Sequence, residues 1–267
     1  MSDTPTSPVN TGVNHKEIDA VFGDGPSLAQ LAAPAPTMTA EWRRFREFLR
    51  MPSLDVSQQN AKPVLVVARL FALDMLIMFA LISIAIGFEV AGVELPDNVF
   101  DDVAWTPTLV LLIIVGAPVL EELLFRGWLS GRPAPIMALL SLGAGVAIFG
   151  SIGANNALAG LPFLLIGIAG AVIALFALRQ RPPMAWFARL FPAFFWLSSI
   201  AFALVHLSNY DEGAATIALP LVLPQFVLGL MLGYVRVRFS LWAAMGLHAA
   251  HNATLLALAG LMMGLAG

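Results

Sequence analysis

Seven apolar runs, at about 64–92, 107–130, 134–152, 160–178, 190–210, 214–235 and 240–265, leave this chain few folds to adopt. A helix needs roughly 20 apolar residues to cross about 30 Å of hydrocarbon, and these runs match that length. In lipid every backbone polar group must find its partner inside the protein, so only helices or closed barrels span. The runs are too long and too uniformly apolar for the alternating strands of a barrel. The fold class expected is therefore all-α, a polytopic transmembrane helical bundle of about seven spans. Charge supports this: only 12% of residues are charged, against about 25% in soluble domains. The net charge of -3 gives no reason to expect a nucleic-acid partner. The chain has no cysteine, which removes disulfides, thiolate metal sites and cysteine nucleophiles together. Pro118, Pro192, Pro220 and Pro224 are expected to kink or end helices.

Residues 1–37 are rich in Pro, Ser, Thr and Ala, without the basic and apolar regions of a signal peptide, and read as a disordered cytoplasmic tail. In the juxtamembrane segment 38–62, Trp42, Phe45, Phe48 and Leu49 recur at helical spacing opposite Arg43, Arg44, Arg46 and Arg50. This fits an amphipathic helix lying in the membrane interface, or equally a basic linker beside anionic lipid. The transmembrane domain would then occupy 63–267. Lys62, Arg69, Arg126, Arg132, Arg179, Arg181, Arg189, Arg236 and Arg238 all fall at one end of the spans, while Glu94, Asp97, Asp101, Asp102, Asp211 and Glu212 fall at the other. The positive-inside rule then places the N-terminus in the cytoplasm and the C-terminus across what we take to be the cell (inner) membrane.

An ionisable side chain at the bilayer centre costs at least about 2.5–3.5 kcal/mol and needs a partner or a purpose. The spans hold few: Asp74, Glu89, Glu121, Glu122, His206, His248 and His251. Glu122 and Arg126 are four apart with the acid first, the favourable order for a helical ion pair. Glu121 points about 100° away and is the freer carboxylate. His248 and Asn252 share a face of the seventh span, with His251 close to it, and Phe202 lies one turn before His206 in the fifth. A carboxylate, imidazoles and an amide from three spans can activate water and stabilise an oxyanion in a dry cavity. Neither a serine nucleophile motif nor an H-E-x-x-H helix is present.

Three of these places resemble, in order, the motifs of the CAAX prenyl protease 2 and Abi (CPBP) intramembrane endopeptidases. EELLFRG at Glu121–Gly127 is similar to E-E-x-x-x-R, FALVH at Phe202–His206 to F-x-x-x-H, and HAAHN at His248–Asn252 to H-x-x-x-N. The resemblance covers roughly 109–256. It departs from the family in one respect: the first two motifs usually lie on consecutive helices, whereas here two apolar runs, about 134–178, separate them and read as an inserted hairpin.

The resemblance implies a CAAX-type endopeptidase acting on membrane-associated peptide or protein substrates, prenylated or not. Glu121 and His206 would activate the attacking water, and His248 and Asn252 would stabilise the oxyanion. Glu122 and Arg126 would hold the motif helix, with Phe202 in a structural position; His251 is outside the family pattern and is read as a supporting residue beside the site. Family members have been described both as metalloproteases and as glutamate-dependent enzymes, so Glu121, His206 and His248 are also the candidate ligands if zinc is bound. The metal-free version is preferred, because Asn252 looks more like an oxyanion donor than a zinc ligand. Asp74 is read as a polar contact between helices. A transporter or proton relay, and a non-catalytic scaffold or immunity factor, are the competing readings. Helix rise alone puts Glu121 about 20 Å and His206 about 6 Å from the outer boundary, so either the fifth span runs deeper or its boundaries differ.

Overall fold

The computed structural model describes residues 37–54, 63–98, 103–154, 156–210 and 219–266, so the expected tail lies outside it except for Thr37. Helices dominate, and among the described residues the one extended pairing is a bridge between Asn98 and Tyr210. In chain order they are α1 (Met38–Arg50), α2 (Pro63–Val90), α3 (Pro107–Leu111), α4 (Ala117–Arg126), α5 (Pro133–Gly153), α6 (Ala157–Ala177), α7 (Ala185–Val205), α8 (Leu223–Arg238) and α9 (Leu241–Ala266). A π-helical turn, Leu112–Gly116, fuses α3 to α4, and short 3-10 turns cover Gly127–Ser130, His206–Asn209 and Leu219–Val222. Six helical segments are long and apolar enough to cross a membrane: Val64–Val90, Pro107–Ser130, Pro133–Gly153, Ala157–Ala177, Ala185–Asn209 and Leu219–Arg238. The seventh of the expected runs, α9, has 26 residues but is interrupted by His248, His251 and Asn252 and is not among the six.

Two backbone pairings sort the connections by end. The Met184 amide donates to the Gly131 carbonyl at 2.9 Å, joining the two connections that carry Arg132, Arg179 and Arg181. The Asn98–Tyr210 bridge joins two connections at the opposite end.

The core forms around α8, which touches α1, α2, α4, α7 and α9 and is buried continuously from Leu228 to Val235. Between apolar helices in lipid the drive is close packing rather than release of water. Accordingly α7 turns Phe187, Phe191, Phe195 and Phe202, all at most 1% exposed, inward at helical spacing, with Ser198 and Ser199 between them. Phe48 of α1 meets Phe195 and Tyr234 edge-on at 5.2 and 5.0 Å.

That contact changes the reading of α1. Its apolar face, Phe45, Phe48 and Leu49, lies against the bundle, and Trp42 donates its indole N–H to the Arg69 carbonyl at 2.8 Å. Glu41, invisible to a hydrophobic pattern, is fully buried and paired with Arg238 at 2.9 Å, and Tyr234 hydrogen-bonds to both. Arg43, Arg46 and Arg50 remain exposed.

α5 and α6 form a close antiparallel hairpin. A Cβ at Gly145 would sit 2.8 Å from the Gly167 Cα, and the reverse holds too, so only glycine allows this approach. Ser141 Oγ donates to the Gly167 carbonyl at 3.1 Å, and the hairpin meets the bundle mainly through the turn Gly127–Ser130.

Candidate active site

The site begins with a proline that cannot donate. In a regular helix the Ala117 amide would bond to the Ile113 carbonyl, but here it bonds to Leu112, five residues back. The next amide in that pattern would belong to Pro118, which has none. The Ile113 carbonyl is thus left without a backbone donor, and Asn252 Nδ2 donates to it at 2.8 Å. An orphaned carbonyl in a membrane costs several kcal/mol, so this bond fixes α9 against the π-helical turn. It uses one of the two amide N–H groups of Asn252 and leaves the other. Of the other prolines expected to disturb helices, Pro220 lies in a 3-10 turn, Pro224 at the start of α8, and Pro192 inside α7.

One turn below Ala117 the two glutamates diverge. Glu122 is fully buried, and its Oε1 accepts from Arg126 Nη1 at 2.8 Å and from His248 Nδ1 at 3.1 Å. The sequence suggests the first bond; the second spans 126 residues. The Arg126 guanidinium lies 3.9 Å from the centroid of the Phe202 ring. A Cβ on Gly229 would stand 3.2 Å from both Arg126 Nη2 and Phe202, which is why α8 carries glycine there. Arg236 Nε holds the Arg126 carbonyl at 3.0 Å. Glu121 is partly exposed, and its Oε2 is 3.7 Å from His248 Nε2. Each ring nitrogen of His248 therefore faces a carboxylate oxygen.

His206 ends α7. Its Nδ1 lies 2.7 Å from the Phe202 carbonyl, which can only accept, so the neutral ring carries its proton there and offers the Nε2 lone pair. The depth difference expected between Glu121 and His206 shrinks in the fold. Ser198 Oγ donates to the Phe125 carbonyl at 2.6 Å and ties the two helices at that level. Counting from the tie, Glu121 is one turn up and His206 two, an offset of about 6 Å along the axes. The count from the outer boundary assumed that both spans end at one level, whereas the Ser198–Phe125 bond fixes their relative height directly.

Glu121, His206, His248, His251 and Asn252 line one cavity of about 640 Å³. Phe202 closes its base, in edge contact with His206, His248 and Phe125. Asn98, Trp105, Asn209 and Gln225 line the cavity toward the end opposite the arginines. Of the residues outside the motifs, Asp74 does make an interhelical contact, with its Oδ2 2.6 Å from His251 Nδ1. Ile113 and the mouth residues were not singled out from sequence. Pro118 inside a span was the available signal for the first, while the mouth depends on how the connections come together.

The zinc alternative can be tested against this geometry. Glu121 and His248 face each other and His206 keeps its Nε2 lone pair, but among the described residues no three His, Asp or Glu side chains form a group that could hold one ion. Glu121, His206 and His248 as arranged do not fit a shared zinc, and we draw no step through one.

Neither a curated protein nor a solved structure matches the chain. A family model does, that of the type II CAAX prenyl endopeptidase Rce1-like proteins, over residues 103–188 and 182–254, more than half of the sequence. These segments contain all three motifs whose side chains meet in the cavity. On this match, the chain belongs to the Rce1-like family of type II CAAX prenyl endopeptidases.

Proposed function

We propose that this protein is an intramembrane endopeptidase that hydrolyses a peptide bond of a membrane-associated peptide or protein, without a covalent intermediate and without a required metal. The observation that carries this reading is the convergence of Glu121, His206, His248 and Asn252, from three separate segments, on one cavity inside the apolar bundle. Glu121 takes a proton from the attacking water, and the Nε2 lone pair of His206 accepts the water's second O–H and so orients it. The carbonyl oxygen of the scissile bond becomes an oxyanion, met by Nε2–H of His248 and the second N–H of Asn252. A His248 ring bearing both N–H groups is satisfied by the carboxylates on either side. Glu122 and Arg126 fix the helix and aim His248.

In this reading α9 is the seventh span and α1 lies at the cytoplasmic interface, with Arg43, Arg46 and Arg50 toward the headgroups. The N-terminus is cytoplasmic, the basic end faces inward, and the cavity opens toward the outer side. Substrates then present their scissile segment from that side of the cell membrane. The hairpin α5–α6 is read as an insertion between the first two motifs; the first of the two matched family segments, 103–188, includes it.

The test is cleavage by the purified protein in lipid nanodiscs, using peptides chosen by comparing membrane-protein termini from cells with and without it. Glu121→Ala, His206→Ala, His248→Ala and Asn252→Ala should remain folded and lose cleavage. Undiminished cleavage by folded Glu121→Ala would end this mechanism, and stoichiometric zinc lost with His206→Ala would replace it by a metal-dependent one.

A further inference from the structure

Two ionisable groups, His251 in the cavity lining and Asp74 in contact with it, have no place in that scheme. Asp74 of α2 is fully buried, and His251 of α9 is 7% exposed and lines the same cavity as Glu121 and His248. Their 2.6 Å contact is in the range of charge-assisted hydrogen bonds. Asp74 Oδ1 has no hydrogen-bond partner, so His251 is what compensates this carboxylate in the membrane. Besides His251, held by Asp74 of α2, the titratable groups lining the cavity are Glu121 from α4, His248 from α9 and His206 from α7, while α8 contributes Gln225 and Leu228 and no charge. With Nδ1 held by the carboxylate, Nε2 is the nitrogen left to meet whatever occupies the cavity. A doubly protonated ring there neutralises Asp74 and holds an N–H ready to give up.

We propose that His251, positioned by Asp74, is the proton donor to the leaving amine. The inference rests on the endopeptidase reading and supplies the step that it leaves open. Water attack with proton loss to Glu121 gives a tetrahedral oxyanion. As the C–N bond breaks, its electron pair stays on nitrogen, nitrogen takes the Nε2 proton of His251, and the oxyanion re-forms the carbonyl. The products are an acid and a free amine. The proton held by Glu121 returns through the cavity to His251, restoring both groups. Peptide nitrogen cannot leave as an anion near neutral pH, so this donor is needed for an amide. A thiolate leaves unaided, since free thiols ionise near pH 8.5.

The experiment compares a cleaved peptide with its analogue bearing a thioester at the scissile position, using full-length protein in nanodiscs. His251→Ala should lower amide hydrolysis roughly 10²–10⁴-fold, the usual contribution of a positioned acid, and leave thioester hydrolysis within a few fold. Asp74→Asn should show the same selectivity in weaker form, and Asp74→Glu should restore part of the amide rate. Should His251→Ala not fold, His251→Gln and Asp74→Asn carry the same comparison. An equal loss on both substrates, or no loss on either, would overturn the assignment while leaving the endopeptidase reading intact. Wild-type protein that cleaves neither would remove both.

Discussion

The Glu122–Arg126–His248 group separates stability from chemistry. Glu122 and Arg126 are fully buried and 2.8 Å apart. Glu122→Gln leaves the guanidinium charged, with the faces of Phe202 and Phe125, a long contact to the Gly229 carbonyl, 3.5 Å away, and the more distant charge of Glu121 as its remaining compensation. Breaking one side of a buried pair costs about 3–5 kcal/mol, whereas replacing both partners by apolar residues of similar volume is often neutral or stabilising by about 1–4 kcal/mol. Removing the cation also gives up its contact with Phe202, worth about 0.5–2 kcal/mol. Glu122→Met with Arg126→Met should therefore return close to wild-type stability. His248 gains nothing from that double change, because its Nδ1 acceptor is gone. Cleavage should stay depressed on the order of 10–100-fold, as when the group orienting a functional imidazole is removed. Stability would be followed by tryptophan fluorescence during denaturation in mixed micelles, and cleavage with the peptide substrate in nanodiscs. If the double variant is as unstable as the single one, the uncompensated charge is not the cause. If Glu122→Gln is fully stable and only its chemistry is lost, Glu122 belongs with the reacting groups.

Three further outcomes follow from the geometry. Pro118→Ala restores a backbone donor, so the π-helical turn should revert toward regular helix, rotate Glu121 relative to α9 and lower cleavage with little change in folded yield. Retained activity would show that the turn does not set the site. Gly167→Val should force α5 and α6 apart, lowering thermal stability while leaving cleavage kinetics in the folded fraction unchanged, because neither helix lines the cavity. A matching loss in kcat would tie the hairpin to the site. Reporter fusions at Gly267 and near Arg181 should report opposite compartments, and the same compartment for both would sink the seven-span topology.

Chain order and hydropathy alone were enough to expect an all-helical membrane protein, with three polar motifs on three apolar segments, and the family match agrees with those motifs. This much is legible because span length and motif spacing are properties along one axis, and the cost of an ionisable group in lipid makes Glu121, Glu122, His206 and His248 stand out. The local pair Glu122–Arg126 was legible for the same reason, being one turn apart. What the tertiary structure decided lies across the axes. Helix tilt and rotation bring Ser198 level with Phe125, which sets the depth of His206, and they turn His248 Nδ1 toward Glu122. The orphan carbonyl of Ile113 takes Asn252 from a segment 139 residues away, Asp74 takes His251 from 177 residues away, and Glu41 takes Arg238 from 197 residues away. Apolar faces in lipid all look alike to one another, so hydropathy does not choose neighbours. Those choices are made by unpaired polar groups finding partners and by glycines that let backbones approach, and both are fixed only when the helices pack.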